Sequence, residues 1–104
     1  MAEYQTICTL AEIPEGEARM FDVDGTMVGL FHVGGKLFAI ANSCPHAGAS
    51  LAHGLLDGAT VRCRIHHWRF CLRTGAYLDE NKPEFNARTF PVRVDGGSVQ
   101  VKIE

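Results

Sequence analysis

A chain of 104 residues, 46% of them apolar and 21% charged, has the hydrophobic content for one compact domain and the length for no more than one, which argues against a disordered chain. Its formal net charge of −2 argues against non-specific nucleic-acid binding.

The chain opens Met-Ala-Glu-Tyr-Gln-Thr-Ile-Cys, with no basic region followed by a long apolar run, so no signal peptide is expected. No apolar stretch approaches the roughly 20 residues that span a bilayer. A cytoplasmic location with no membrane association is the expectation. There, the four cysteines are read as thiols or metal ligands in preference to disulfides.

In chain order, a first strand is expected over Gln5 to Thr9, followed by a polar turn over Leu10 to Glu15. Glu17 to Val23, Thr26 to Val33 and Lys36 to Ile40 alternate as strands, with Asp24-Gly25 and Gly34-Gly35 as two-residue hairpin turns. Further on, Thr60 to Arg62 and Trp68 to Phe70 read as short strands, with a turn at Asp57-Gly58. Arg88 to Val94 and Ser98 to Ile103 alternate again and are joined through Asp95-Gly96-Gly97. No segment sustains a 3.6-residue apolar period over helical length. The expected fold class is all-β: a small antiparallel sandwich or barrel with an inserted, loop-rich subdomain. The frame is read as residues 1–41 and 79–104 and the inserted subdomain as 42–78, together one domain over 1–104. Charge divides the same way. Residues 41–78 carry four arginines (Arg62, Arg64, Arg69, Arg73) against one acid, Asp57, while the remaining residues carry six basic and eleven acidic groups.

The middle segment holds two Cys/His clusters, Cys44-Pro45-His46 and Cys63-Arg64-Ile65-His66, with sixteen residues between His46 and Cys63. Each short loop offers one thiolate and one imidazole, good ligands for both iron and zinc. Structural zinc sites usually pair Cys with Cys and His with His. Alternation within each loop suits a [2Fe–2S] pair in which two His replace two Cys on one iron. A zinc-stabilised interaction module remains the alternative from another class. Pro45 would stiffen the first loop. His67 is a weaker alternative ligand to His66. His32 and His53 read as surface or turn residues, Cys8 as a small buried apolar residue and Cys71 as a packing thiol.

With Cys-Pro-His at 44–46, Cys-x-x-His at 63–66, Trp68-x-Phe70 and Arg73-Thr74-Gly75, the chain resembles the Rieske ferredoxins over essentially its whole length. The stretch Phe70-Cys71-Leu72-Arg73-Thr74-Gly75 is most similar to the small ferredoxins of bacterial aromatic-ring dioxygenase systems. The resemblance implies one Rieske [2Fe–2S] cluster with Cys44, His46, Cys63 and His66 as its ligands, and no catalytic residue. It implies a soluble one-electron carrier, a non-enzymatic component of a multicomponent oxidoreductase. Its partners would be a flavin-containing NAD(P)H-dependent reductase and a terminal oxygenase or other acceptor, the chain itself being a monomer. The absence of a Gly-rich nucleotide fingerprint agrees. A small subunit of a larger enzyme, such as a nitrite reductase, is the alternative. Such subunits often lack the ligands, and all four are present here.

High-potential Rieske proteins add a second Cys in each loop, joined as a disulfide, and Ser and Tyr hydroxyls directed at cluster sulfur. The matching positions here hold Ala49 (or a neighbour), Ile65, Trp68 and Phe70. The resemblance therefore implies a midpoint near the bottom of a range of about −150 to +300 mV, with Trp68 and Phe70 as an apolar cover. It also implies a potential that falls at alkaline pH. The four arginines of the middle segment read either as solvated surface charge or as a basic rim that steers an acidic protein to the site.

Overall fold

The structure, a computed structural model, describes residues 3–43, 50–65 and 67–103. Among them there are ten strands and three short 3-10 turns. The strands are β1 (Tyr4–Thr9), β2 (Ala18–Val23), β3 (Thr26–Val33), β4 (Lys36–Ala41), β5 (Leu55–Asp57), β6 (Thr60–Arg62), β7 (Arg69–Cys71), β8 (Thr89–Phe90), β9 (Val92–Asp95) and β10 (Ser98–Lys102). They form three antiparallel sheets, ordered β1-β10-β9, β2-β3-β4-β8 and β5-β6-β7. The all-β expectation holds. No helix among the described residues is long and apolar enough to cross a membrane.

The β2-β3-β4-β8 sheet is covered on both faces at its centre, along β3, and the alternation along its strands assigns each side chain to a face. Val28, Leu30, Ala39 and Phe90 pack toward the β1-β10-β9 sheet with Cys8, Ile13, Val99 and Val101. Phe31 and Ile40 point the other way, into a second core with Leu51, Val61, Cys63, Phe70, Leu72, Tyr77 and Ala87. The molecule is thus three layers with two cores, and β3 is buried continuously from Val28 to Phe31 because both of its faces are covered.

The β2–β3, β3–β4 and β9–β10 hairpins close through two-residue turns whose central residues all have positive φ, at Asp24-Gly25, Gly34-Gly35 and Gly96-Gly97. This matches the right-handed twist of the flanking strands. The Glu15 carboxylate accepts hydrogen bonds from Gly34 and Gly35 N–H at 2.8 and 2.6 Å, which hold it below the usual carboxylate range. His32 is not a surface residue: its ring is half-buried and its Nδ1 lies 2.8 Å from the Ile13 carbonyl.

Three expectations are corrected. Arg88 to Val94 is not one strand. Pro91 interrupts it, so β8 pairs with β4 while β9 pairs with β10. A proline has no N–H to continue a ladder, and at this point the chain passes between sheets. The strand expected at Trp68 to Phe70 lies one residue later, at Arg69–Cys71. Leu55–Asp57 forms a strand not anticipated from the sequence, with Asp57 paired to Thr60 and not part of the turn.

Candidate metal centre

The β5-β6-β7 sheet has an inner row and an outer row. Leu56, Val61 and Phe70 are in register and extend to Tyr77 through a bridge; all four face the second core. Leu55, Arg62 and Arg69 stand in register on the opposite face. Leu78 continues that row, its N–H bonded to the Arg69 carbonyl at 2.9 Å. All four side chains are exposed.

Cys63 is the first residue beyond β6 and is fully buried in the second core. Its N–H donates to the Trp68 carbonyl at 2.8 Å, which closes a four-residue loop over 64–67. His67 takes the left-handed conformation there, at φ 60°, a backbone region that costs a non-glycine residue free energy. The next loop repeats the pattern. Cys71 N–H donates to the Ala76 carbonyl at 2.9 Å, and Gly75 has φ 76°. Here glycine is required twice over, because a Cβ at position 75 would stand 2.0 Å from the Ala87 carbonyl oxygen. Ala87 N–H donates to the Gly75 carbonyl, and Tyr77 N–H donates to Asn86 Oδ1. Residues 86–87 thereby hold the far side of the sheet.

Trp68 stacks on Tyr77 with ring centroids 4.4 Å apart and meets Phe85 edge-on at 5.1 Å. Phe70 is wholly buried. It is a core residue beneath the sheet, whereas Trp68 covers the flank of the Cys63 loop. Cys71 is half-buried. Burial pushes its thiol up, but hydrogen bonds from the Thr74 hydroxyl and the Thr74 and Arg73 amides, with the Arg73 charge, outweigh it and hold the thiol below its usual value. Cys8 is the buried residue the sequence implies, and burial, with nearby Glu12, pushes its thiol up. No disulfide joins Cys8, Cys63 or Cys71.

Cys44, His46 and His66 lie outside the described residues, as do Pro45 and Ala49. What is described is how the segments bearing them are held. Ser43 and Ser50 form an antiparallel bridge at the base of the first loop. A 3-10 turn, Leu51–His53, follows and packs beside the second loop. Gly54 approaches so closely that a Cβ there would sit 2.6 Å from the Arg62 carbonyl oxygen, and Arg64 Nε donates to the His53 carbonyl. Leu51 and Cys63 share one core. The bases of both Cys/His loops therefore meet at one end of the third layer. The donors the two loops bring, two cysteine sulfurs and two imidazoles, with one thiol buried, fit the mixed ligand set of an iron–sulfur pair. The 3-10 turn and the close approach at Gly54 escaped the sequence reading. Only the observed packing shows why residue 54 is small.

A family model described as the Rieske [2Fe-2S] domain matches residues 3–91. The chain is 40% identical over 97 residues to the 3-phenylpropionate/cinnamic acid dioxygenase ferredoxin subunit of Escherichia coli (strain K12), covering 92% of this chain and 90% of that protein. Among solved structures it is similar to the ferredoxin of carbazole 1,9a-dioxygenase from Nocardioides aromaticivorans IC177, with a TM-score of 0.86, 33% identity and coverage of 94% and 95% of the two chains. It also matches, with a TM-score of 0.84, 27% identity and coverage of 94% and 91%, a chain in the complex of reduced oxygenase and oxidized ferredoxin in carbazole 1,9a-dioxygenase.

Proposed function

The chain belongs to the Rieske [2Fe–2S] domain family, and from that premise we propose that it is the soluble electron carrier of an aromatic-ring dioxygenase system, with Cys44, His46, Cys63 and His66 as the cluster ligands. A single observation carries the ligand reading. The 3-10 turn Leu51–His53 brings the flanks of the two Cys/His loops together around buried Cys63. The cluster, when bound, takes up and releases one electron without making or breaking bonds in a substrate.

The protein's own residues supply the rest. The Cys63 thiolate, enclosed in the second core, is kept from water and from outside oxidants. Phe70 and Trp68 present no hydroxyl, so no O–H from these two positions is offered to cluster sulfur, and the negative reduced state is stabilised less than where such hydroxyls exist. Electrons would arrive from a flavin-containing, NAD(P)H-dependent reductase and leave to a terminal oxygenase. The oxygenase is supported by the similarity to a ferredoxin solved in complex with one. The reading also includes a monomer in the cytoplasm and one domain over 1–104 with a cluster-binding subdomain at 42–78.

The test is direct. The purified protein should be red-brown, contain two irons and two acid-labile sulfides per chain, and give a Rieske-type EPR signal on reduction. Cys63→Ser should abolish the signal and the bound iron. A colourless protein containing zinc would overturn the proposal and favour the interaction-module reading. A wild-type protein that holds the cluster but is not reduced by NAD(P)H and any dioxygenase reductase would remove the carrier role and leave the cluster.

A further inference from the structure

Building on the ligand assignment above, we propose that the 3-10 turn Leu51–His53 is a strut that sets the spacing of the two ligand loops, gripped at one end by Asn42 and at the other by Arg64. Asn42 is the polar side chain buried in the described core, 4% exposed. Both ends of its carboxamide are used across the first loop. Nδ2 donates to the Ser50 hydroxyl at 2.9 Å, and Oδ1 accepts from Ala52 N–H at 2.9 Å. Its backbone does the same work. Its carbonyl accepts from Leu51 N–H at 2.7 Å, while its N–H donates to the Met27 carbonyl at 3.0 Å. Asn42, two residues before the 44–49 segment, is thereby bonded to three consecutive residues after it, Ser50, Leu51 and Ala52, and the whole is anchored to β3. Gly29 of β3 leaves the room, since a Cβ there would lie 3.1 Å from Asn42 Oδ1.

The other end of the strut meets the second loop. Arg64, between Cys63 and His66 in sequence, spends its Nε–H on the His53 carbonyl. It makes no ion pair with any described residue, although it is exposed. Gly54 is pressed against Arg62, and Leu51 fills the core beside Cys63. Four residues of backbone thus carry contacts to both loops. Position 65 is isoleucine, 46% exposed, and the segments flanking the two loops are held by hydrogen bonds to one short turn. Asn42 and Arg64 are positioning residues: they act on the cluster through the segments that bear its ligands.

The experiment uses the cluster-loaded protein and follows three readouts: the rate of iron loss to a chelator, the EPR line shape of the reduced state, and the midpoint potential. Arg64→Gln and Asn42→Ala should each speed iron loss by about tenfold or more, the scale seen for outer contacts of metal ligands, and should alter the EPR line shape. Asn42→Asp should restore most of the lifetime, because its carboxylate still accepts from Ala52 N–H and the Ser50 hydroxyl. Arg64→Lys should behave like Arg64→Gln, since an ammonium keeps the charge but not the planar Nε donor. If lysine restores wild-type behaviour, Arg64 acts by charge alone and the strut is overturned. It is overturned equally if iron loss and line shape are unchanged in the Arg64 and Ser50→Ala variants. Those two sites are accessible enough to decide the matter should Asn42→Ala fail to fold. Failure of the ligand assignment looks different: the wild-type protein itself would then lack the Rieske signal.

Discussion

Hydroxyl-free side chains around the second loop set the electronic character expected of the centre. With Trp68 stacked on Tyr77 and Phe70 wholly buried as hydrocarbon, no side-chain O–H is offered from these positions. The midpoint, measured by EPR-monitored titration at neutral pH, should fall below about +150 mV, in the lower half of the Rieske range. This was legible in the sequence because it depends on residue type alone. So was the choice of Cys63 as a candidate ligand. The demand for glycine at 75 was only half legible: Arg73-Thr74-Gly75 stands out as a motif, but the Ala87 carbonyl that forbids a Cβ comes from twelve residues further along the chain. No local pattern encodes that approach. His32 was misread for the same reason, since the Ile13 carbonyl that holds its ring belongs to a distant turn.

Hairpins were the elements most plainly written in the chain. Their turns need positive φ at fixed positions, and Asp-Gly and Gly-Gly pairs announce this. Short, non-alternating pieces such as Leu55–Asp57 carry too few residues for a period to show. Pro91 is visible in the sequence, yet alternation runs across it, so the change of sheet emerges only from the pairing. The third-layer sheet is also tied at its edge by Asp79. This carboxylate accepts from Arg69 N–H and Arg69 Nε, both at 2.8 Å. Slight burial pushes it up, but these bonds and the charges of Arg69 and Arg62 prevail and hold it below the ordinary carboxylate range. A depressed carboxylate contributes stability that is present above its unfolded pKa and is lost as pH falls through the folded value. Asp79→Asn should therefore lower the melting temperature near pH 7, and the gap from wild type should close as pH drops below about 4. Thermal melts of both proteins across that window are the check.

At the scale of the molecule, charge is segregated. Arg62 and Arg69 stand in one exposed row between Leu55 and Leu78, next to the Cys63 loop, while the rest of the chain is acidic. Arg69 is committed to Asp79. The guanidinium of Arg62 has no hydrogen bond or ion pair among the described residues and is available to an acidic protein surface. Raising salt shortens the reach of such attraction. Electron transfer to an acidic docking protein should slow steadily as ionic strength rises, in stopped-flow measurements at fixed pH. A flat salt profile would deny the arginine row a steering role.

The doubly covered middle sheet has one more consequence, which concerns how damage spreads. Leu30 and Phe31 are chain neighbours, both fully buried, yet they face different cores. The sheet between them acts as a bulkhead. Either truncation to alanine removes a large buried side chain and should cost about 3 kcal/mol or more of stability by denaturant unfolding. Their other symptoms should diverge. Leu30→Ala should leave the EPR line shape of the surviving folded protein intact, while Phe31→Ala, on the Cys63 side, should loosen the centre and hasten iron loss. Two adjacent letters of the sequence would then report on two separate compartments, one that keeps the protein standing and one that keeps its metal.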